Sequence, residues 1–487
     1  MRIDKKGLAF RLRSLTGLPG SGPNQLLLSA DGSTFYFTVR GKLKGLYRIG
    51  WDGKGLRRLY KGPASQLQWG AKGALYFIGK GGTIVALGMR GKARPKPVRF
   101  VAEWSGRRDM ARLQLFEEAW GIINHGFYDP TFHGANWAKI RADYRHLIKQ
   151  TVTRDGFDDV IFMMLGELNA SHLGIYHRKK GPKSRTGELG VRFDASYKGK
   201  GLKIAYVRPK SPAARRRSLL KKGDVLLALN GQPLGQDVNL YKYLDWKVGR
   251  KVELKISREG KTRFFYIRPI GFRHTYQQRY NAWVDAVRDQ VKTLSKGTLA
   301  YLHIQSMNMK SLDRFERELY AHAHDKKGLI IDVRNNGGGW TADRLLSMFL
   351  PKAHAVTRYR HAKRGGYPVS RRPYYYWHKP IILLCNERSG SNAEIFTHAV
   401  KLHKLGTVVG MPTAGAVIST GGARLLDGSW FRLPLRGWWT LPKRKNMENG
   451  PAVPHVLVPI LPTDEQFRRD PQLKRAIKIL LSQLKKK

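Results

Sequence analysis

The order of helices and apolar runs from residue 275 to 487 constrains this chain more than any other feature. Amphipathic stretches, YNAWVDAVRDQVKTLSK and SLDRFERELYAHAH, alternate there with short runs that are apolar almost throughout, TLAYLHI, GLIIDVR, IILLCNE and TVVGM. A strand apolar on both faces has to be covered on both, and helical connections between strands make the neighbours parallel. The pattern predicts an α/β layer with a largely parallel sheet, whose working loops leave the carboxyl ends of the strands. The tail PQLKRAIKILLSQLKKK reads as an amphipathic helix.

Three other textures come first. Residues 1–100 alternate apolar and aromatic positions, as in QLLLSADGSTFYFTV and ALYFIGKGGTIVALGM, broken by DG, GK and GG, which is hairpin chemistry. The repeated sheet unit is similar to propeller blades, although about two blades cannot close a ring. Residues 104–176 carry apolar residues at helical spacing through MARLQLFEEAWGIINHGFYD, WAKIRADYRHLIKQT and FDDVIFMMLGELN. The basic stretch HRKKGPKSRTG at 177–187 reads as a linker. Residues 186–270 alternate strands with one short helix and resemble a PDZ domain, with ELGV in the place of the carboxylate-binding loop and KKGDVLLALNGQ as a local match. That resemblance implies binding of extended C-terminal peptides along a sheet edge.

Composition bounds the partners. With 90 Lys and Arg against 35 Asp and Glu, the net charge of +55 favours acidic partners, yet the basic residues are spread over every quarter and cluster only briefly, at 215–217, 442–445 and 485–487. A solvated basic surface is the first reading, and a dedicated nucleic-acid groove the second. At 41% hydrophobic residues the chain has enough apolar material to fold. Its one cysteine, Cys385, lies in the apolar run IILLC, which predicts a buried strand thiol and fits a reducing compartment. The N-terminal letters lack the apolar core of a secretory signal, and no run approaches the roughly 20 residues needed to cross a bilayer. A cytoplasmic location without membrane attachment is the expectation.

Two corners carry the chemistry. In GLIIDVRNNGGGW a strand runs into Gly337, Gly338 and Gly339, where the backbone can turn tightly and aim N–H groups outward. In IILLCNERSGSNAEIFTHAV a strand, a small-residue turn and a helix starting near Asn392 put Ser391 at a helix N-terminus. Free N–H groups and partial positive charge there suit a developing oxyanion, the geometry of a nucleophile elbow; an N-cap serine is the plain alternative.

GGGW followed by NERSGSNAEIF, with the PDZ-like and helical segments upstream, resembles the tricorn protease family and its relatives, the C-terminal processing peptidases. The processing branch pairs its serine with a lysine further along, and no lysine occurs between Lys404 and Lys443. The tricorn branch draws a Ser-His pair from the helical domain and a late glutamate; here ELNASHLGIY offers Ser171 and His172, and RKNMENGPAVPH offers Glu448. The resemblance implies Ser391 as nucleophile, His172 as general base and acid, and Ser171 and Glu448 as the groups that hold the imidazole. It implies the N–H groups of Gly339 and Asn392 as oxyanion hole, with Gly337 and Gly338 beside the substrate. The implied fold is a multidomain α+β chain: a β-propeller-like remnant, a helical domain, a PDZ-like domain and a C-terminal α/β peptidase domain of ClpP/crotonase type. The implied activity is a cofactor-free serine endopeptidase or oligopeptidase for unfolded or small peptides, hexameric by analogy.

Two departures modify this. Tricorn has an acid after the tyrosine of its specificity segment, whereas TRYRHAKRGGYP has Arg360, which points to cleavage after acidic or apolar residues. Tricorn chains also carry two propellers, and this one offers a blade or two. The rival reading is an inactive peptidase fold that binds nucleic acid, supported by the basic field and RRPYYYWHKP at 371–380. His322 and His324 of HAHD sit without a third ligand in the sequence and read as surface residues rather than a metal site.

Overall fold

The computed structural model describes residues 14–16, 25–70, 73–89, 94–101, 107–177, 186–216, 218–350, 355–356, 370–371, 376–467 and 469–485. The chain divides into two compact bodies, Met1–Gly106 and Arg107–Lys487.

The first body holds two four-stranded antiparallel sheets. One is built from β1 (Leu26–Leu28), β2 (Thr34–Val39), β3 (Gly45–Gly50) and β4 (Arg57–Lys61), the other from β5 (Ser65–Trp69), β6 (Leu75–Ile78), β7 (Ile84–Leu87) and β8 (Pro95–Pro97), each in sequence order. Gly32 and Gly53, second letters of the two DG pairs, take φ of 72° and 85°, the left-handed turn conformation that glycine adopts without a Cβ penalty. Tyr36, Leu46, Leu75, Phe77 and Leu87 share one apolar cluster.

The second body starts with helices α1 (Arg108–Gly126), α2 (Trp137–Gln150) and α3 (Arg154–Gly166). The side chains of Asn136 and Thr153 cap α2 and α3 by accepting from the N–H of Lys139 and Gly156. Phe116, Ile123, Ile148, Phe157 and Ile161 bury the shared core. A three-residue strand, β9 (Gly174–Tyr176), follows. The next sheet has the order β10 (Val191–Phe193), β11 (Leu202–Val207), β12 (Val225–Leu229), β14 (Val252–Arg258), β15 (Lys261–Ile267), with β13 (Gln232–Pro233) paired to β12 and the short helix α4 (Leu240–Leu244) alongside.

Helix α5 (Phe272–Leu294) leads to the parallel sheet of β16 (Leu299–His303), β17 (Gly328–Asp332), β20 (Ile381–Cys385), β21 (Gly406–Gly410) and β24 (Val456–Leu457). Between these lie α6 (Met309–Glu318), α7 (Ala342–Leu346), the short pair β18 (Ala355–Val356) and β19 (Ser370–Arg371), and α8 (Asn392–Leu402). The runs that looked apolar on both faces are buried on both. Ile331, Leu383 and Cys385 face a core with Phe315 and Phe396, while Ile330, Ile382 and Leu384 face Val284, Ile477 and Leu480 on the other side. The tail helix is α10 (Pro471–Lys485), preceded by the single turn α9 (Pro462–Gln466).

Two features depart from the sequence reading. The helix before the parallel sheet begins at Phe272, three residues ahead of the boundary expected at 275. The segment after α3 is not wholly helical, because β9 leaves to join β23 (Trp430–Gly437), which pairs with β22 (Ile418–Arg424) in a separate antiparallel sheet. Three rungs, Trp430 to Tyr176, Phe431 to Ile175 and Arg432 to Gly174, fasten the segment behind His172 to this sheet. Phe431 and Leu425 thereby enter the core of the three helices.

Candidate active site

Strand β20 delivers the first corner. Ser391 precedes α8 with φ 53° and ψ −119°, a conformation a non-glycine residue adopts only when its surroundings impose it, at a typical cost of about 1–3 kcal/mol. Its own N–H donates to Glu394 Oε1 at 2.8 Å, which is the reach-back half of a capping box. Its hydroxyl does not cap the helix and makes no hydrogen bond among the described residues, so the Oγ is left available. Ser391 thus stands at the N-cap position of α8, as the plain alternative has it, and is held there through its backbone.

The glycine turn packs against it. A Cβ placed on Gly338 would lie 2.6 Å from Ser391 Cβ and 3.0 Å from Asn392 N, and one on Gly339 would lie 1.9 Å from Met307 O. Gly338 and Gly339 take φ of 96° and 145°, so both the conformation and the space demand glycine. Asn336, fully buried, sets the turn: its Nδ2 donates to Ile304 O at 2.8 Å, its Oδ1 accepts from Gly338 N–H at 2.9 Å, and its carbonyl accepts from Gly390 N–H at 2.9 Å. With Gly338 N–H occupied, the N–H groups of Gly339 and Asn392 remain without acceptors among the described residues. Asn392 spends its side chain on Ala342 N–H, at 2.7 Å. Below the turn, Arg334 donates to Asp332 at 2.7 Å and to Asp470 at 2.9 Å, which clamps β17 to α10.

The second group of candidates meets in a hydrogen-bonded line. Glu448, 5% exposed, accepts from Ser171 N–H at 2.5 Å, from Ser171 Oγ at 3.0 Å and from Val417 N–H at 2.8 Å. Ser171 Oγ lies 2.8 Å from His172 Nδ1. Since the hydroxyl proton goes to the carboxylate, the remaining bond is filled by Nδ1–H donating to Ser171 Oγ, which assigns the tautomer with a lone pair on Nε2. Burial, and then the Arg432 guanidinium, push the imidazole down to about 4, so it is neutral at ordinary pH. His172 itself has φ 67°.

The structure forms no hydrogen bond between His172 Nε2 and Ser391 Oγ. It links them through protein instead. Glu394, fully buried, accepts from Ser391 N–H, from Thr413 Oγ1 at 2.6 Å, and from the N–H groups of Gly415 and Ala416 at 2.6 and 2.9 Å. The next N–H, that of Val417, goes to Glu448.

Sequence reasoning missed Glu394, Asn336 and Arg432. The S-x-x-E spacing of Ser391 and Glu394 was a readable capping signal; nothing in the letters marks the other two. Arg360 lies outside the described residues, as do residues 372–375 of the aromatic run at 371–380. In its described part Tyr376 stacks on His378 with ring centroids 5.6 Å apart, and Trp377 is 6% exposed beneath the Lys379 ammonium. Cys385 is buried, and burial pushes its thiol up to about 12. Among the described residues no cluster of three His, Cys, Asp or Glu gathers, and no helix is long and apolar enough to cross a membrane.

Comparison with known proteins follows this architecture. Residues 109–166 match the tricorn protease C1 domain, 187–268 the PDZ domain and 298–458 peptidase family S41. Tricorn protease homolog 1 of Streptomyces coelicolor is 30% identical over 390 residues, covering 76% of this chain and 35% of the relative. Tricorn protease of Thermoplasma acidophilum is 28% identical over 382 residues, covering 77% and 35%. A putative tricorn-like protease C-terminal subunit of Sulfurisphaera tokodaii is 30% identical over 447 residues, covering 88% and 49%. The chain therefore spans between about a third and a half of the length of these relatives. The crystal structure of the tricorn protease superposes with a TM-score of 0.78 at 24% identity, covering 93% of this chain and 46% of that one, which extends the shared fold to most of the chain. Segments matching the tricorn protease C1, PDZ and S41 peptidase models thus follow one another along a chain that is similar, over three quarters or more of its length, to tricorn proteases and tricorn-like subunits.

Proposed function

We propose that this protein is a serine endopeptidase or oligopeptidase that cleaves unfolded or small peptides by acyl transfer. Ser391 Oγ attacks the scissile carbonyl while His172 Nε2 takes its proton. The carbonyl oxygen, now negative, sits between the N–H groups of Gly339 and Asn392, with Gly337 and Gly338 lining the approach. His172 then gives the proton to the leaving amine, and a water repeats the sequence to release the acid. Glu448 and Ser171 keep Nδ1 protonated and the ring oriented throughout. The observation that carries this reading is the line Glu448–Ser171–His172, which leaves Nε2 with a lone pair, in the same compact body as Ser391, whose hydroxyl makes no hydrogen bond among the described residues. Apo enzymes commonly hold the nucleophile and base apart until substrate arrives.

The finer features belong to the same proposal: two blade-like sheets as the remnant of a propeller, the division at 1–100, 104–176, 186–270 and 275–487, a cytoplasmic homo-oligomer that is hexameric by analogy, and peptides rather than nucleic acid as partners. Arg360 as a specificity residue predicts preference for acidic or apolar residues at the cleavage point. The test is labelling by a serine-directed fluorophosphonate, alone and in Ser391→Ala, together with cleavage of fluorogenic peptides ending in Lys, Leu and Glu. Labelling of the wild type that vanishes in the variant is expected; equal labelling of both excludes Ser391. Fastest cleavage after Lys removes the specificity proposal.

A further inference from the structure

We infer that Glu394 is a positioning residue that sets Ser391 at the distance from His172 that catalysis needs; the inference rests on the reading above. A carboxylate with no solvent exposure is unfavourable unless each oxygen is well bonded. Both oxygens of Glu394 are bonded twice, Oε1 by Ser391 N–H and Ala416 N–H, Oε2 by Thr413 Oγ1 and Gly415 N–H. Helix capping uses only the first of these. The other three come from one segment, residues 413–417, whose last N–H donates to the Glu448 oxygen that also accepts from the hydroxyl of Ser171.

The arrangement is a strut. At one end is the peptide N–H of the nucleophile, at the other the acid that orients the base, and a five-residue segment lies between. Thr413 is itself tied down, since its Oγ1 accepts from Ala452 N–H at 2.8 Å, and Asn449 N–H donates to Gly415 O at 2.8 Å on the far side of Glu448. Because the four bonds of Glu394 go to Ser391 N–H, Thr413 Oγ1, Gly415 N–H and Ala416 N–H and none to the Ser391 hydroxyl, it acts through geometry and touches no reacting atom. Misplacement by an ångström is enough to cost about 100-fold in rate.

The test compares Glu394→Gln and Thr413→Val with the wild-type chain. A glutamine has the right volume but offers one acceptor oxygen, so its amide meets an N–H or hydroxyl donor where the second oxygen was. Thr413→Val keeps the carboxylate and removes one of its four bonds. For Glu394→Gln we expect kcat to fall by about 10–100-fold with KM within about twofold, and the fluorophosphonate labelling rate to fall in parallel. For Thr413→Val we expect a smaller fall of the same kind. Thermal midpoints are read alongside. A Glu394→Gln protein that folds and keeps wild-type kcat and labelling rate overturns the inference, as does a fall confined to KM. If Glu394→Gln does not fold, Thr413→Val decides, and unchanged kcat there overturns it. A wild-type chain that neither labels nor cleaves removes the peptidase reading itself, an outcome distinct from a labelled wild type with an indifferent Glu394.

Discussion

The Glu448 carboxylate grips Ser171 twice, accepting from its backbone N–H at 2.5 Å and from its hydroxyl at 3.0 Å. One bond fixes where the segment carrying His172 lies; the other fixes which nitrogen of the imidazole holds the proton. Glu448→Gln keeps the volume but turns a donor toward at least one donor. We expect kcat/KM to fall by about 10²–10⁴, measured with fluorogenic peptides, with near-UV circular dichroism retained.

Ser171→Ala removes the relay hydroxyl but leaves the bond from the backbone N–H. About a tenfold loss is expected, and the double variant with Glu448→Gln should lose less than the two single losses multiplied, since both act on one line. Independent, multiplying losses would show that Ser171 and Glu448 do not work together.

The pH profile should reach unusually far into acid. A base works while neutral, and His172 is held down to about 4 from 6.5, by burial first and Arg432 second. The acid limb of kcat/KM is expected near pH 4, and Arg432→Gln should move it upward. The sign for stability agrees: the unfolded imidazole binds a proton that the folded one refuses, so this group's contribution is present above pH 6.5 and is lost as the pH falls toward 4.

Gly339→Ala forces a Cβ to within 1.9 Å of the Met307 carbonyl at a φ of 145°. The turn must move, and with it one N–H of the proposed oxyanion hole. A loss of about 10²–10³ in kcat is expected from peptide assays, with a lowered thermal midpoint. Gly337→Ala meets no atom within 4 Å, and its midpoint should stay close to wild type.

Arg334→Met should destabilise the fold more than it alters chemistry directly. Burial alone would push Asp332 up, but the neighbouring Arg334 guanidinium and His303 hold it down, so removing Arg334 strands a buried charge. A cost of about 3–5 kcal/mol in denaturant unfolding is expected, with much of it recovered by adding Asp332→Asn.

The architecture was legible where a local pattern has one physical solution. Apolar-on-both-faces strands such as GLIIDVR and IILLC had to be central and parallel, and the turn glycines announced their conformations. The candidates Ser171, His172, Ser391 and Glu448 were readable as letters in an order that resembles one family. What gathers three of them was not readable. The pairing of β9 with β23 joins residues some 250 positions apart by three rungs, and GIY carries too little periodicity to announce a strand, let alone a partner. Asn336 and Arg432 looked like ordinary polar letters because their importance lies in burial and proximity. The segment with Arg360, proposed to set specificity, lies outside the described residues.

The helices bearing the imidazole do not complete their own interior. Phe431, Leu425 and part of Leu433 fill it from a sheet encoded far downstream. A fragment cut at residues 107–177 would expose that wall to water and be expected to aggregate or stay molten, whereas adding back the missing piece in trans could restore it. On the proposed mechanism, therefore, a nascent chain completes the line from Glu448 to His172 only after synthesis has passed both that distant sheet, which ends at Gly437, and Glu448 itself.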